Sequence, residues 1–255
     1  MRGITMNLLI VGYGNIGRHI YDELKLLSPK IYDPNFEEYN KIPNDKFDVA
    51  FICVPTNSLN DGSCDISIVN ESIKVIQADI IVIKSTVPVG TTDMLSDKYK
   101  KNVIFSPEYY GTTQHSSDSP DFLVLGGDTK HSATVAQIYY KVKSGSFRIM
   151  FTTAKAAELA KYMENCFLAL KVTFCNEFAT VALKNGISYE MLREIFIMDK
   201  RMGESHTFVL NDQPFYDSHC LNKDIPAYLH FAGEDSPLID AMHKINEARK
   251  KNYAE

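Results

Sequence analysis

The chain has 255 residues, 45% of them hydrophobic and 23% charged, as suits a soluble globular protein of one large or two modest domains. A formal net charge of −5 leaves no electrostatic footprint for nucleic acid. The five cysteines, at 53, 64, 166, 175 and 220, lack zinc-ligand or CxxC spacing, so reduced thiols and no metal site are expected.

The first apolar run is short and enters a glycine loop instead of a signal-peptide cleavage site. No apolar stretch approaches the roughly 20 residues that span a bilayer, so a cytoplasmic protein without membrane contact is expected. Asn7 to Val11 predict a first strand, followed by the loop GYGNIG and a helix to about residue 27. Strands are predicted at 30–33, 48–54 and 79–85, with a helix at 65–76 between the last two. Three more strands are predicted at 102–105, 122–126 and 146–151, with a helix at 131–142. These runs are continuously apolar, as in strands covered by helices on both faces, and predict a doubly wound, Rossmann-type parallel sheet in an α/β fold.

After Phe151 the texture changes. Apolar residues recur at helical spacing for over thirty residues, with Thr152 or Thr153 as N-cap and Gly186 as stop. A last helical pattern runs over 236–251. The expected division is a nucleotide-binding domain over 1–151 and an all-helical domain with a long central helix over 152–255.

GYGNIG places Gly12, Gly14 and Gly17 between a strand and a helix, where glycines permit a tight turn and close approach of a pyrophosphate. Asp33 closes the second strand 21 residues after Gly12, where a carboxylate accepts from the adenosine ribose and repels the 2′-phosphate of NADP. The alternative is that it merely starts the turn DPN. Together these features predict NAD binding, and Asn15, Ile16, Val54, Pro55 and Thr86 are further cofactor-binding candidates. Lys161 and Asn165 leave one helix face a turn apart and could hold a substrate oxygen, or form a solvated pair. In HCLNKD, Cys220 stands three residues before Lys223 and four before Asp224, a spacing open to an activated thiolate or to a small buried hydrophobe.

Several segments occur in one order: GYGNIG, FICVPTNSLNDGSCDISIV, KSTVPVGTT, SPEYYG, PDFLVLGG, AELAKYMENCFLALKVTFCNEFA, DKRMG, CLNKD and PLIDAMHKINEARK. In these the chain resembles the UDP-glucose/GDP-mannose dehydrogenase family, NAD-dependent enzymes that oxidise the C6 alcohol of a nucleotide sugar to a carboxylate. The wider hydroxyacid dehydrogenases share the glycine loop and a lysine-x-x-x-asparagine pair, whereas Cys220 with Lys223 and Asp224 distinguishes this family. The resemblance implies that Cys220 is a nucleophile forming a thiohemiacetal and then a thioester. It implies that Thr86 and Glu108 orient a water and assist proton transfer, and that Lys161 and Asn165 stabilise the oxyanion. Asp224 would handle protons beside the thiol, and Lys223, Glu108 and Lys161 would meet substrate. Arg201 would reach a neighbouring subunit's site in a homodimer built across the long helix.

The departures fall on substrate recognition. PFYDSHC replaces a glycine-rich GFGGSC-like loop, so Tyr216, Asp217 and His219 are expected to fill space against the sugar. PEYYGTT replaces PEFLREG, Phe122 replaces an arginine, and the sequence ends where a third, nucleotide-binding domain is expected. UDP-glucose itself is therefore expected to bind poorly. Three classes remain open: a compact four-electron dehydrogenase acting on a nucleotide sugar or sugar-like alcohol, a two-electron dehydrogenase with Cys220 idle, and an NAD-binding partner protein.

Overall fold

The computed structural model describes residues 6–110, 120–143, 145–210 and 212–254. They fall into two compact units. Of the described residues, the first holds 6–57, 64–110, 120–143 and 145–161; the second holds 58–63, 162–210 and 212–254.

The first unit is a seven-stranded sheet. Its strands are β1 (Leu8–Val11), β2 (Lys30–Tyr32), β3 (Phe47–Ile52), β4 (Ala78–Ile83), β5 (Val103–Phe105), β6 (Phe122–Gly126) and β7 (Arg148–Thr152), in the order β2-β1-β3-β4-β5-β6-β7. The helices are α1 (Asn15–Leu24), α2 (Ser67–Val75), α3 (Thr91–Tyr99) and α4 (Thr129–Val142). Because side chains alternate along a strand, β1 divides its four residues between two cores. Leu8 and Ile10 pack with Ile20 and Leu24 of α1 and with Val135 and Tyr139 of α4. Leu9 and Val11 pack with Val69 and Ile73 of α2 and Leu95 of α3. Burial on both faces is the reason β1, β3, β4 and β5 read as unbroken apolar runs, whereas β7 at the sheet edge is largely exposed.

The sheet is not wholly parallel. β5 and β6 pair antiparallel through Phe105 and Gly126, while every other neighbouring pair is parallel. Two-sided burial sets hydrophobicity and carries no information about strand direction, so the runs alone could not reveal this reversal. The chain reverses winding between β1, which has β2 on one side and β3 on the other, and ligands of open α/β sheets bind at such switch points.

A fifth helix, α5 (Ala154–Lys184), begins in the first unit and continues in the second. In the first unit, buried Glu158 satisfies the start of α3 by accepting from the backbone N–H of Gly90 (2.6 Å) and Thr92 (2.9 Å) and from the Thr92 hydroxyl (2.6 Å). The second unit adds α6 (Tyr189–Ile197), α7 (His219–Ala232) and α8 (Pro237–Ala254). Its core gathers Cys166, Ala169 and Val172 of α5 around Tyr216, Leu221 and Ile225 of the α7 region and Met242 of α8. One expectation needs correction: α5 is long and apolar enough to cross a bilayer by length and composition. Its charged residues are widely spaced, yet Asn165, Thr173 and Asn176 are buried along it. Buried polar groups of this kind suit a helix packed in protein.

Candidate active site

In the first unit the three loop glycines serve different ends. Gly12 turns the chain at φ +90°, and a Cβ there would lie 2.5 Å from the Cys53 carbonyl oxygen. A Cβ on Gly17 would lie 1.9 Å from the Gly12 carbonyl oxygen, so α1 presses directly on the turn. Gly14 is the opposite case: nothing lies within 4 Å of where its Cβ would be. No side chain caps α1, whose first residues are exposed Asn15 and half-buried Ile16. Open space before the uncapped N–H groups of a helix fits a pyrophosphate, and the residues present therefore fit NAD.

Asp33 follows β2 and is 6% exposed. Its Oδ2 accepts from the Tyr13 N–H (2.7 Å) and its Oδ1 from the Asn35 N–H (2.9 Å). The turn and nucleotide readings thus coexist, because each oxygen keeps a further lone pair for a ribose hydroxyl. Sequence reasoning missed the ring cluster beside it: Tyr13 meets Tyr21, Phe36 and Tyr39 edge-on at centroid distances of 5.8, 6.0 and 5.4 Å. Val54 and Pro55 follow β3, and the Ser85 hydroxyl donates to the Val54 carbonyl (2.6 Å). Half-buried Thr86 lies just beyond β4.

Glu108 follows β5, with its carboxylate in a tight set of donors. Oε1 accepts from the backbone N–H of Tyr109 (3.0 Å) and Tyr110 (2.8 Å), and Oε2 lies 3.3 Å from the ammonium of Lys84. Burial works to raise this carboxyl, but Lys84 and the Tyr110 N–H outweigh it and hold it below the usual carboxylate range. The Lys161 ammonium lies 4.8 Å from the centre of the Tyr109 ring, a cation–π contact. Lys84 was not singled out in the sequence; its signal was a lysine closing an otherwise apolar strand. The remainder of PEYYGTT, from Gly111, lies outside the described residues.

In the second unit Ser218 caps α7, its hydroxyl accepting from the Leu221 N–H (3.3 Å). Cys220 is exposed in the first turn of this helix, which answers against the buried-hydrophobe reading. Cys53 and Cys166, by contrast, are buried thiols pushed up to about 12 by desolvation. One turn beyond Cys220, the 2%-exposed Asp224 accepts from the Asn165 amide (2.6 Å) through Oδ2 and from the Lys223 ammonium (2.6 Å) through Oδ1. Asn165, Lys223 and Asp224 are therefore brought together within this unit. Arg201 sits on an exposed turn, where its guanidinium pairs with both oxygens of Asp199.

The expectation that Tyr216 and Asp217 fill space against a sugar is corrected. Tyr216 is buried in the helical core, with its hydroxyl 2.9 Å from His243 Nδ1, because the ring adds apolar area there. Asp217 is held by Lys250 (2.5 Å) and by the Asn222 amide (2.7 Å). Asp217 and His219 remain exposed, Asp217 with its carboxylate engaged by these partners.

Residues 25–143 match the model of the UDP-glucose/GDP-mannose dehydrogenase family, NAD binding domain, and residues 155–248 match that of the family's central domain. The UDP-glucose 6-dehydrogenase of Rhizobium meliloti (strain 1021) is 31% identical over 238 residues, covering 85% of this chain and 54% of that protein. The chain spans about half the length of the curated relatives it matches. A UDP-glucose dehydrogenase from Pyrobaculum islandicum superposes with a TM-score of 0.79 at 23% identity, over 97% of this chain and 69% of that one. A UDP-D-ManNAc dehydrogenase from Pyrococcus horikoshii gives 0.76 at 24% identity, over 95% and 68%. These two likenesses bear on the fold alone. With both family models matched in order along most of its length, the chain belongs to the UDP-glucose/GDP-mannose dehydrogenase family and carries its NAD binding domain.

Proposed function

We propose that the protein is an NAD-dependent dehydrogenase that oxidises a primary alcohol of a nucleotide sugar to a carboxylate in two hydride transfers. The observation that carries this reading is an exposed thiol in the first turn of α7, one turn before the buried Asn165–Asp224–Lys223 set. A two-electron oxidation needs no thiol, whereas an acid-forming one benefits from a covalent holder for the aldehyde. NAD, held at Gly12, Gly14, Gly17 and Asp33, would supply the hydride acceptor for each oxidation.

In this reading the Cys220 thiolate adds to the aldehyde carbon, giving a thiohemiacetal whose oxyanion Lys161 and Asn165 stabilise as donors. Loss of a hydride turns that adduct into a thioester. Thr86 and Glu108 then orient a water, Glu108 takes its proton, and the thioester carbon–sulfur bond breaks to release carboxylate and thiolate. Asp224 exchanges protons beside the sulfur, with Lys223 offsetting its charge. The sum is one alcohol, one water and two NAD consumed per carboxylate. Assembly is a homodimer across α5, with Arg201 serving the partner's substrate, and the turning of Tyr216 into the core removes one obstacle to a UDP-sugar.

The deciding measurement is NADH formed per UDP-glucose, and per other UDP-sugars, with NAD in excess. Two per substrate is expected, with no acid from Cys220→Ala; one would indicate a two-electron enzyme, and none a binding protein. Acid formation by Cys220→Ala at the wild-type rate would overturn the covalent route.

A further inference from the structure

Lys84 is a lysine without solvent. It follows β4, its backbone N–H donates to the Ile52 carbonyl (2.9 Å), and its side chain is 1% exposed. Parallel pairing of β4 with β5 sets it beside the segment that follows β5. There the ammonium lies 3.3 Å from the Ser106 hydroxyl, 3.5 Å from the Pro107 carbonyl and 3.3 Å from Glu108 Oε2. An ammonium has three protons, and this one meets three oxygens. Burying a charge is costly unless it is paired and hydrogen-bonded, so a bare structural role would be served more cheaply by an apolar side chain.

The other side of the pair is equally specified. An ionised carboxylate offers about four lone-pair directions. The Tyr109 N–H, the Tyr110 N–H and Lys84 occupy three, leaving one on Oε2. All three neighbours are donors, which favour the ionised form and give a carboxyl proton nothing to bond to. We propose that Lys84 is a positioning residue that keeps Glu108 ionised and aims its one uncommitted lone pair, making Glu108 a general base and not an acid. This rests on the dehydrogenase reading above only for what that base acts upon. The same contacts, Lys84 first and then the Tyr110 N–H, outweigh burial and hold the carboxyl below the usual carboxylate range.

Other groups face Glu108. From α1 come His19, stacked on Tyr110 at a centroid distance of 3.9 Å, and Glu23, which is paired with His19 (3.5 Å) and with Lys143 at the end of α4. Cys53 beyond β3 and Tyr139 of α4 act on the same field but are pushed by burial to high values, so both stay neutral near pH 7. Lys84 is the cation in direct contact with the carboxylate.

The test is NMR titration of the protein labelled with carbon-13 at its glutamate carboxyls, with Glu108 identified by the signal lost in Glu108→Gln. Glu108 should titrate below the ordinary glutamate range in wild type, move upward in Lys84→Met, stay low in Lys84→Arg and stay low in His19→Gln. With UDP-glucose and NAD, Lys84→Met should then lose roughly tenfold or more in NADH formation at acid pH and regain rate as pH rises. An unchanged Glu108 titration in Lys84→Met overturns the proposal. So does a wild-type Glu108 that titrates at or above the ordinary range, a result that needs no folded Lys84 variant. A wild type that makes no NADH overturns the dehydrogenase reading instead, since the carboxyl titration is read without turnover.

Discussion

Gly14 and Gly17 stand three residues apart and should fail in different ways. A methyl on Gly17 meets a backbone oxygen at 1.9 Å, and backbone cannot rotate away, so Gly17→Ala should cost about 1–3 kcal/mol or more and lower the Tm. A methyl on Gly14 meets nothing, and its φ of −74° suits any residue. Gly14→Ala should therefore keep the Tm while weakening NAD binding in a calorimetric titration, because the methyl enters the space left for the pyrophosphate. Wild-type NAD affinity in Gly14→Ala would show that the space serves something else. Carboxylates set the acid limit in the same way. Burial raises Glu23 and Glu108, but His19 and Lys143 around the first, and Lys84 and the Tyr110 N–H around the second, hold both below the ordinary range. Groups lowered on folding contribute stability above their unfolded pKa, near 4.5, and lose it as pH falls through the folded values. Glu158, raised by burial, has the opposite sign: its contribution is present below its unfolded pKa and is lost as pH rises through the folded value. The Tm should thus fall most steeply below the ordinary carboxylate range, and the double variant Glu23→Gln, Glu108→Gln should flatten that limb. An equally steep limb in the double variant would move the acid sensitivity elsewhere.

At the scale of elements, the thiol is positioned from α8. His243, Asn246, Lys250 and Tyr253 recur at helical spacing along it and take hold of Phe215, Tyr216 and Asp217. Buried Asn246 is central, accepting from the Tyr216 N–H (2.8 Å) and donating to the Tyr216 carbonyl (3.1 Å). Asn246→Ala leaves both groups unsatisfied and should cost about 1–3 kcal/mol, with amide exchange at Tyr216 and His219 speeding in proportion. Unchanged protection at those amides would mean that Ser218 alone fixes the start of α7. None of this holding was legible in the sequence, because it depends on contacts 27 and 30 residues apart. The long periodic segments were legible: the strands from β1 to β4, and α5, fall within a few residues of the predicted ranges. So were the short strands β5, β6 and β7 and the helices α2 and α4, whereas α3, α6 and α7 were not. α6 was missed, and α7 carries Pro226 inside it, a residue that reads as a breaker even though Ser218 was available as a cap. The spacing in HCLNKD drew notice to Cys220 but left its role open, and only the family resemblance implied a nucleophile, whereas the pairing of Lys84 with Glu108 required knowing that β4 and β5 are neighbours.

At the scale of the molecule, the apolar surface of the second unit asks for a partner. Met163 on α5 is 74% exposed and Met198 just beyond α6 is 80% exposed. Phe167, Phe174, Phe178 and Val181 continue the α5 stripe, and Met191 and Ile195 extend it onto α6. Large contiguous apolar patches mark interaction surfaces, and scattered exposure would not align them on one helical stripe. A second copy is the simplest occupant: a two-fold axis across α5 sets the same stripe against itself, satisfying both copies with one interface. Such an interface needs about 1,200 Å² or more of buried surface, which a 31-residue helix with its neighbour can supply. Met163→Glu with Phe167→Glu places four extra carboxylates in the dimer, two per chain, and charges buried without partners are costly. The wild type should therefore sediment as a dimer at micromolar concentration and the double variant as a monomer with unchanged far-UV circular dichroism. A monomeric wild type would leave the stripe to another partner and would remove the role of Arg201 in a neighbouring site. A double variant that stays dimeric would place the interface away from the N-terminal half of α5.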